Sequence, residues 1–114
     1  MSSSDSLLVI WSTADREVTL CNVFMYTYNS RAQGWWENVR LLIWGPSGKL
    51  LVEDQELQDR IKEMLDAGIE VLACVGCAKS YGIVDQLTAI GVDVIPAGQP
   101  LTDMLKSGWK VLTY

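Results

Sequence analysis

Histidine is absent from the 114 residues. That removes Ser-His-Asp and Cys-His nucleophile activation, most catalytic zinc sites and a histidine pH switch, because each needs an imidazole as base, ligand or sensor. Positive charge is scarce: nine Lys and Arg stand against 14 Asp and Glu, for a formal net charge of −5. No basic cluster breaks the pattern, so phosphate-driven nucleic-acid binding is not expected. Long apolar runs are missing too. The longest uncharged stretch, Val18 to Ser30, has 13 residues, among them Thr, Asn and Tyr. A bilayer span needs about 20 predominantly apolar residues, so no membrane partner is expected. The opening MSSSDS has no positive segment before its apolar run and does not read as a secretory leader. Three cysteines without an export signal point to reduced thiols and a cytoplasmic location.

What the chain has in excess is apolar surface. Charged residues make up 20%, against about 25% in a typical soluble domain. Counted with Gly and without Tyr, the apolar share is about 54%, against about 45–50%. The length suits one domain, residues 1–114, with the Ser-rich residues 1–6 expected to be disordered. So small a chain has much surface to cover, and its excess must be shared with a partner. With membrane and nucleic acid set aside, self-association remains.

Leu7 to Trp11 is a continuous apolar run with β-branched members and reads as a buried strand. Ser12-Thr13-Ala14-Asp15 opens a helix over residues 15–32. Its Val18, Leu20, Cys21, Val23, Phe24, Met25, Tyr26 and Tyr28 cover more than one stripe. Cys21 reads as a packing residue there, and Trp35-Trp36 as core or interface anchors. A second strand spans Asn38 to Trp44, and Gly45-Pro46-Ser47-Gly48-Lys49 reads as a turn. Leu57, Ile61, Met64 and Leu65 give the helix from Asp54 to Ala67 one apolar face. The third strand is Ile69 to Ala73. The helix after it runs to Ile90 and buries Ile83, Val84, Leu87 and Ile90; Gly82 near its start suggests a break or a close backbone approach. The fourth strand is Val92 to Ile95. A short helix from Pro100 turns Leu101, Met104 and Leu105 inward, and Trp109 to Thr113 is the last strand. Five strands alternating with four helices describe an α/β domain with a mostly parallel five-stranded sheet and helices on both faces.

In such a sheet, sites form at the carboxyl ends of the strands. That edge collects Ser12, Thr13, Gly45, Ser47, Gly98 and the segment from Cys74 to Cys77, which includes Gly76. The reactive element is the Cys74/Cys77 pair, placed where strand becomes helix. Free backbone N–H groups there favour thiolate, the nucleophilic form, and Lys79 offers a nearby positive charge. The bland alternative is thiols used as packing. A thioredoxin-type redox pair is usually expected after an earlier strand. A zinc site lacks ligands, since beyond the pair only Cys21 and carboxylates remain, so no metal or cofactor is expected. A single activated cysteine with a supporting neighbour needs no histidine, because sulfur exchange runs on the thiolate. The segment Gly45 to Lys49 falls short of a phosphate loop: two residues separate its glycines and Leu50 follows the Lys.

The stretch Ala73-Cys74-Val75-Gly76-Cys77-Ala78-Lys79-Ser80-Tyr81-Gly82 resembles the signature of the DsrE/DsrF-like family, in which a reactive cysteine ends the third strand and a glycine follows eight residues later. Cys77 resembles the stand-alone members rather than the sulfur-relay subunits. So do Trp44-Gly45-Pro46-Ser47 and the pairing of Pro100-Leu101-Thr102 with the final strand. The chain departs from the relay subunits in having Tyr81 before Gly82, where they have Arg nearby. The resemblance implies a three-layer α/β/α sandwich and a homotrimer or hexamer. It also implies that Cys74 accepts sulfane sulfur as a persulfide, as a carrier or sulfurtransferase. Cys77 would then stabilise the thiolate or resolve the persulfide, and the exchange partners would be sulfur donor and acceptor proteins or small thiols. The assembly is expected to use helix 15–32 and Trp35/Trp36. The alternatives are a non-enzymatic oligomeric binding or regulatory module with packing cysteines, a thiol–disulfide redox protein using Cys74 and Cys77, and a binder of small anions at the strand ends.

Overall fold

The computed structural model describes residues 5–114. Most of the segment expected to be disordered, residues 1–6, lies outside this range. Its last residue, Ser6, is buried and opens the first strand. The strands are β1 (Ser6–Trp11), β2 (Asn38–Ile43), β3 (Glu70–Cys74), β4 (Asp93–Ile95) and β5 (Lys110–Thr113). They form one sheet in the order β4-β3-β2-β1-β5, with every pairing parallel. Alternate side chains serve opposite faces. Leu7, Val9 and Trp11 of β1 join one buried cluster, while Leu8 and Ile10 join another. Leu41 and Ile43 against Leu42, and Val71 and Ala73 against Leu72, repeat the division.

The first connection is one continuous helical stretch. It comprises α1 (Arg16–Val18), a π-helical segment (Thr19–Phe24) and α2 (Met25–Ala32). Asp15 caps it by accepting from the Val18 N–H at 3.0 Å. The other helices are α3 (Ser47–Val52), α4 (Gln55–Asp66), α5 (Val75–Tyr81), α6 (Val84–Ile90) and α7 (Gly98–Lys106). Val23, Phe24, Leu51, Leu57, Ile61 and Leu87 cover the first face, and Met104 of α7 covers the second. Right-handed crossovers explain the unequal division. Each step from β1 to β4 moves one place in the same direction, so its helices fall on one face. The step from β4 to β5 returns past β1, so α7 falls on the other. The result is a three-layer α/β/α sandwich. Among the described residues no helix is long and apolar enough to cross a membrane.

Three local expectations are corrected. Residues 47–52, inside and beyond the expected turn, form α3. Pro46 takes helical angles ahead of the first turn, and Gly48 lies where a Cβ would come 3.1 Å from Ile83 Cδ1, so the glycine serves close packing rather than a bend. The break suggested at Gly82 is present: the residue adopts left-handed φ of 67°, α5 ends there and α6 follows as a separate helix. Cys21 is exposed rather than packed, since the core side of its helix is taken by Thr19, Val23, Phe24, Thr27 and Ser30. Leu105 is 54% exposed, leaving Met104 as the buried residue of α7.

Candidate thiol site

Cys74 is the last residue of β3 and the residue that precedes α5. Its extended backbone, with φ −70° and ψ 119°, turns the chain from strand to helix and leaves the first-turn N–H groups of α5 open toward its side chain. A Cβ at Gly76 would lie 3.8 Å from Cys74 Sγ, so the sulfur rests over that glycine. Cys77 follows one turn later. Both cysteines are half-buried free thiols.

The two thiols are displaced in opposite directions. Burial pushes the Cys74 thiol up, but the Cys77 N–H, the Cys77 thiol and the Gly76 N–H favour its ionised form and together bring it below the ordinary thiol value. Burial also pushes the Cys77 thiol up. The N–H of Gly45 opposes this, but hydrogen bonding to Cys74 and the negative charge there leave Cys77 raised. The pair titrates as a unit, with ionisation favoured at Cys74 and disfavoured at Cys77.

Gly45, Gly48, Cys74, Cys77, Tyr81 and Ile83 line a cleft of about 10 Å³. That is room for about one water-sized atom beside the sulfurs. Gly45 reaches Cys77 because it takes left-handed φ of 73°, which costs glycine no Cβ clash. A larger cavity, about 500 Å³, lies elsewhere, among Leu20, Phe24, Met25, Tyr28, Arg60 and Met64.

The other expected strand-end residues take different positions. The Ser12 hydroxyl donates to the Tyr114 carbonyl at 2.9 Å, and the Ser12 and Thr13 N–H groups donate to the same oxygen. Thr13 Oγ1 accepts from the Asp15 N–H. Ser47 is fully buried, and its hydroxyl donates to the Trp11 carbonyl at 2.6 Å, tying the loop after β2 to the end of β1. Ser12, Thr13 and Ser47 are thus occupied in holding strand ends together. Gly98 starts α7 on the other face, and Lys79 lies exposed in the last turn of α5, without a part in lowering the Cys74 thiol. Gly45 and Gly76 contribute directly, through backbone N–H groups. Sequence reasoning missed Tyr81 and Ile83 as walls of the cleft; the division of the helix at Gly82 is what presents them. Among the described residues no three His, Cys, Asp or Glu side chains converge in a metal-holding group.

The sequence profile of the DsrE/DsrF-like family matches residues 26–114. The solved structure of BT1422 from Bacteroides thetaiotaomicron, a conserved protein of unknown function, is 37% identical; the alignment covers 100% of this chain and 98% of that one, with a TM-score of 0.95. YchN from E. coli has the same fold at 19% identity, with 100% of both chains covered and a TM-score of 0.76. MTH1491 from Methanobacterium thermoautotrophicum, of unknown function, has it at 21% identity, with 96% of this chain and 99% of that one covered and a TM-score of 0.73. No curated protein matches the chain significantly.

Proposed function

This chain belongs to the DsrE/DsrF-like family, and from that premise we propose that it carries sulfane sulfur as a persulfide on Cys74. The observation that carries the proposal is the opposite displacement of two adjacent thiols in a cleft with room for about one further atom. The Cys74 thiolate attacks the outer sulfur of a donor persulfide, RSSH. A Cys74 S–S bond forms, the donor S–S bond breaks and RS⁻ leaves, with no net oxidation. The outer sulfur then passes to an acceptor thiol by the same exchange. Donor and acceptor are proteins or small thiols of a reducing compartment such as the cytoplasm, where free cysteines persist.

The adjacency of the two free thiols in one cleft supports a second, connected reading. Cys77 attacks the loaded Cys74, giving a Cys74–Cys77 disulfide and HS⁻, so that the pair acts as a thiol–disulfide couple after delivery fails. Cyanolysis tests the carrier role. Protein treated with a small persulfide, desalted and exposed to cyanide releases thiocyanate from the wild type and not from Cys74→Ser. Equal release from both, or none from the wild type, overturns it.

The working form is a homo-oligomer, a trimer or hexamer. Support comes from Met25 and Trp35, each 55% exposed, and from Tyr28, exposed beside Met25 on the cavity between α2 and α4. Trp35 is held against Tyr26 at 5.9 Å between ring centroids, and Trp36 Nε1 donates to the Tyr26 hydroxyl at 3.2 Å. On this reading the outer side of the first helix and the tryptophan pair take up part of the apolar excess of the composition.

A further inference from the structure

Lys49 stands beside the cysteine cleft on two counts. It follows Gly48, which lines the cleft, and its Nζ lies 5.2 Å from the centroid of the Tyr81 ring, which lines the cleft from α5. Two helices therefore meet at this side of the pocket, α3 bringing a cation and α5 an aromatic face. The placement is set from below: Leu51 is buried in the core, and Gly48 packs against Ile83, where an added Cβ would lie 3.1 Å from Cδ1. Among the described residues the ion pairs are made by Arg16, Arg40 and Arg60, and Lys49 belongs to none of them. Its charge rests on a π-face instead of a carboxylate, which holds the ammonium in place without neutralising it.

We propose that Lys49, held over Tyr81, makes the Cys74 site selective for small sulfane-sulfur donors that carry a carboxylate. This rests on the reading of Cys74 as the sulfur carrier and names the substrate class of that site. The cleft admits little beyond the transferred atom, so the body of the donor stays at its mouth. The Lys49 ammonium, held against the Tyr81 ring that lines the cleft, attracts a carboxylate-bearing donor and the thiolate carboxylate that leaves. The exchange is unchanged in its bonds: the outer sulfur, with its proton, moves from the donor sulfur to Cys74, and the donor departs as RS⁻. In a chain of net charge −5, an anionic donor is otherwise repelled, and a single cation at the mouth offsets that repulsion locally.

The experiment compares the initial rates at which the full-length protein is loaded by the persulfides of mercaptopropionate (anionic) and mercaptoethanol (neutral), read as the mass gain on Cys74. The wild type is expected to favour the anionic donor by on the order of threefold to tenfold at low salt, and the preference shrinks as ionic strength rises. Lys49→Gln removes the preference, Lys49→Glu inverts it, and Tyr81→Phe, which keeps the ring, retains it. Lys62→Gln, an exposed change on α4, also retains it. Loading of all variants with the same donor ratio as the wild type overturns the role of Lys49 and leaves Cys74 as carrier. Absence of loading by either donor in every variant overturns the carrier reading itself, and this inference with it.

Discussion

Cys74 and Cys77 lie one helical turn apart at the start of α5, and their interaction favours the ionised form of Cys74 and disfavours that of Cys77. The consequence is a division of labour within one turn of helix. Alkylation by iodoacetamide, followed residue by residue across pH, should show Cys74 reacting with a midpoint below that of an unperturbed thiol and Cys77 with a midpoint above it. Cys77→Ala removes the neighbour that favours the thiolate and should slow Cys74 alkylation at pH 7 by roughly threefold to tenfold, the scale of one ordinary hydrogen bond. Cys77→Ser keeps a donor and should slow it less.

Ser47 reaches the site through the backbone. Its buried hydroxyl bonds the Trp11 carbonyl, which also accepts from the Trp44 N–H at 3.0 Å, just ahead of Gly45. Ser47→Ala should cost about 0.5–1.5 kcal/mol in urea unfolding, because it removes one of two donors to a buried carbonyl and loosens the loop. The same variant should lower the reactivity difference between Cys74 and Cys77, since Gly45 faces Cys77 from that loop.

Asp54 has two duties that pH can separate. It caps α4 by accepting from the Leu57 N–H at 3.2 Å, and it pairs with Arg16 at 2.6 Å. The hydrogen bond from Arg16 holds its carboxyl below the usual carboxylate range, although burial pushes the other way. A depressed carboxylate stabilises the fold above its unfolded pKa, and that contribution fades as pH falls through the native value. Asp54→Asn should therefore be less stable than wild type at pH 7, with the gap closing in strong acid. Asp54→Ala also loses the cap and should cost about 1 kcal/mol more than Asp54→Asn. Denaturant unfolding at both pH values measures these differences.

Assembly through the first helix predicts a mass by light scattering of three or six chains at micromolar concentration. Met25→Glu, which puts a charge on the exposed apolar side, should shift that mass toward the monomer while the circular dichroism of the chain stays unchanged. A wild-type monomer contradicts the assembly.

The strands were readable from the sequence because buried parallel strands are near-continuous apolar runs, and Leu7–Trp11, Leu41–Ile43 and Val71–Ala73 are such runs. The α4 face was readable because Leu57, Ile61 and Met64 repeat at helical spacing. Ser47–Val52 was not, because Gly-Pro and Ser-Gly carry local turn chemistry, and the contact that makes Gly48 useful comes from Ile83, 35 residues away. The π-helical segment at Thr19–Phe24 likewise has no local mark; the Trp11 Nε1 bond to Thr19 Oγ1 at 3.0 Å joins it to a strand eight residues earlier. At the site, the spacing of Cys74 and Cys77 and their place after the third strand were legible. Which neighbours serve them was not. Ser12, Thr13 and Ser47 reach the right edge of the sheet but spend their polar groups on Tyr114, Asp15 and Trp11, while Tyr81 arrives from beyond the pair.

The most direct measurement is the intact mass and peptide map of the reduced protein after exposure to a small persulfide. A gain of one sulfur, about 32 Da, on the Cys74 peptide is expected in the wild type, with none on Cys21 and none in Cys74→Ser. An unmodified wild type, or the same gain in Cys74→Ser, would contradict the assignment of Cys74 as the sulfur carrier.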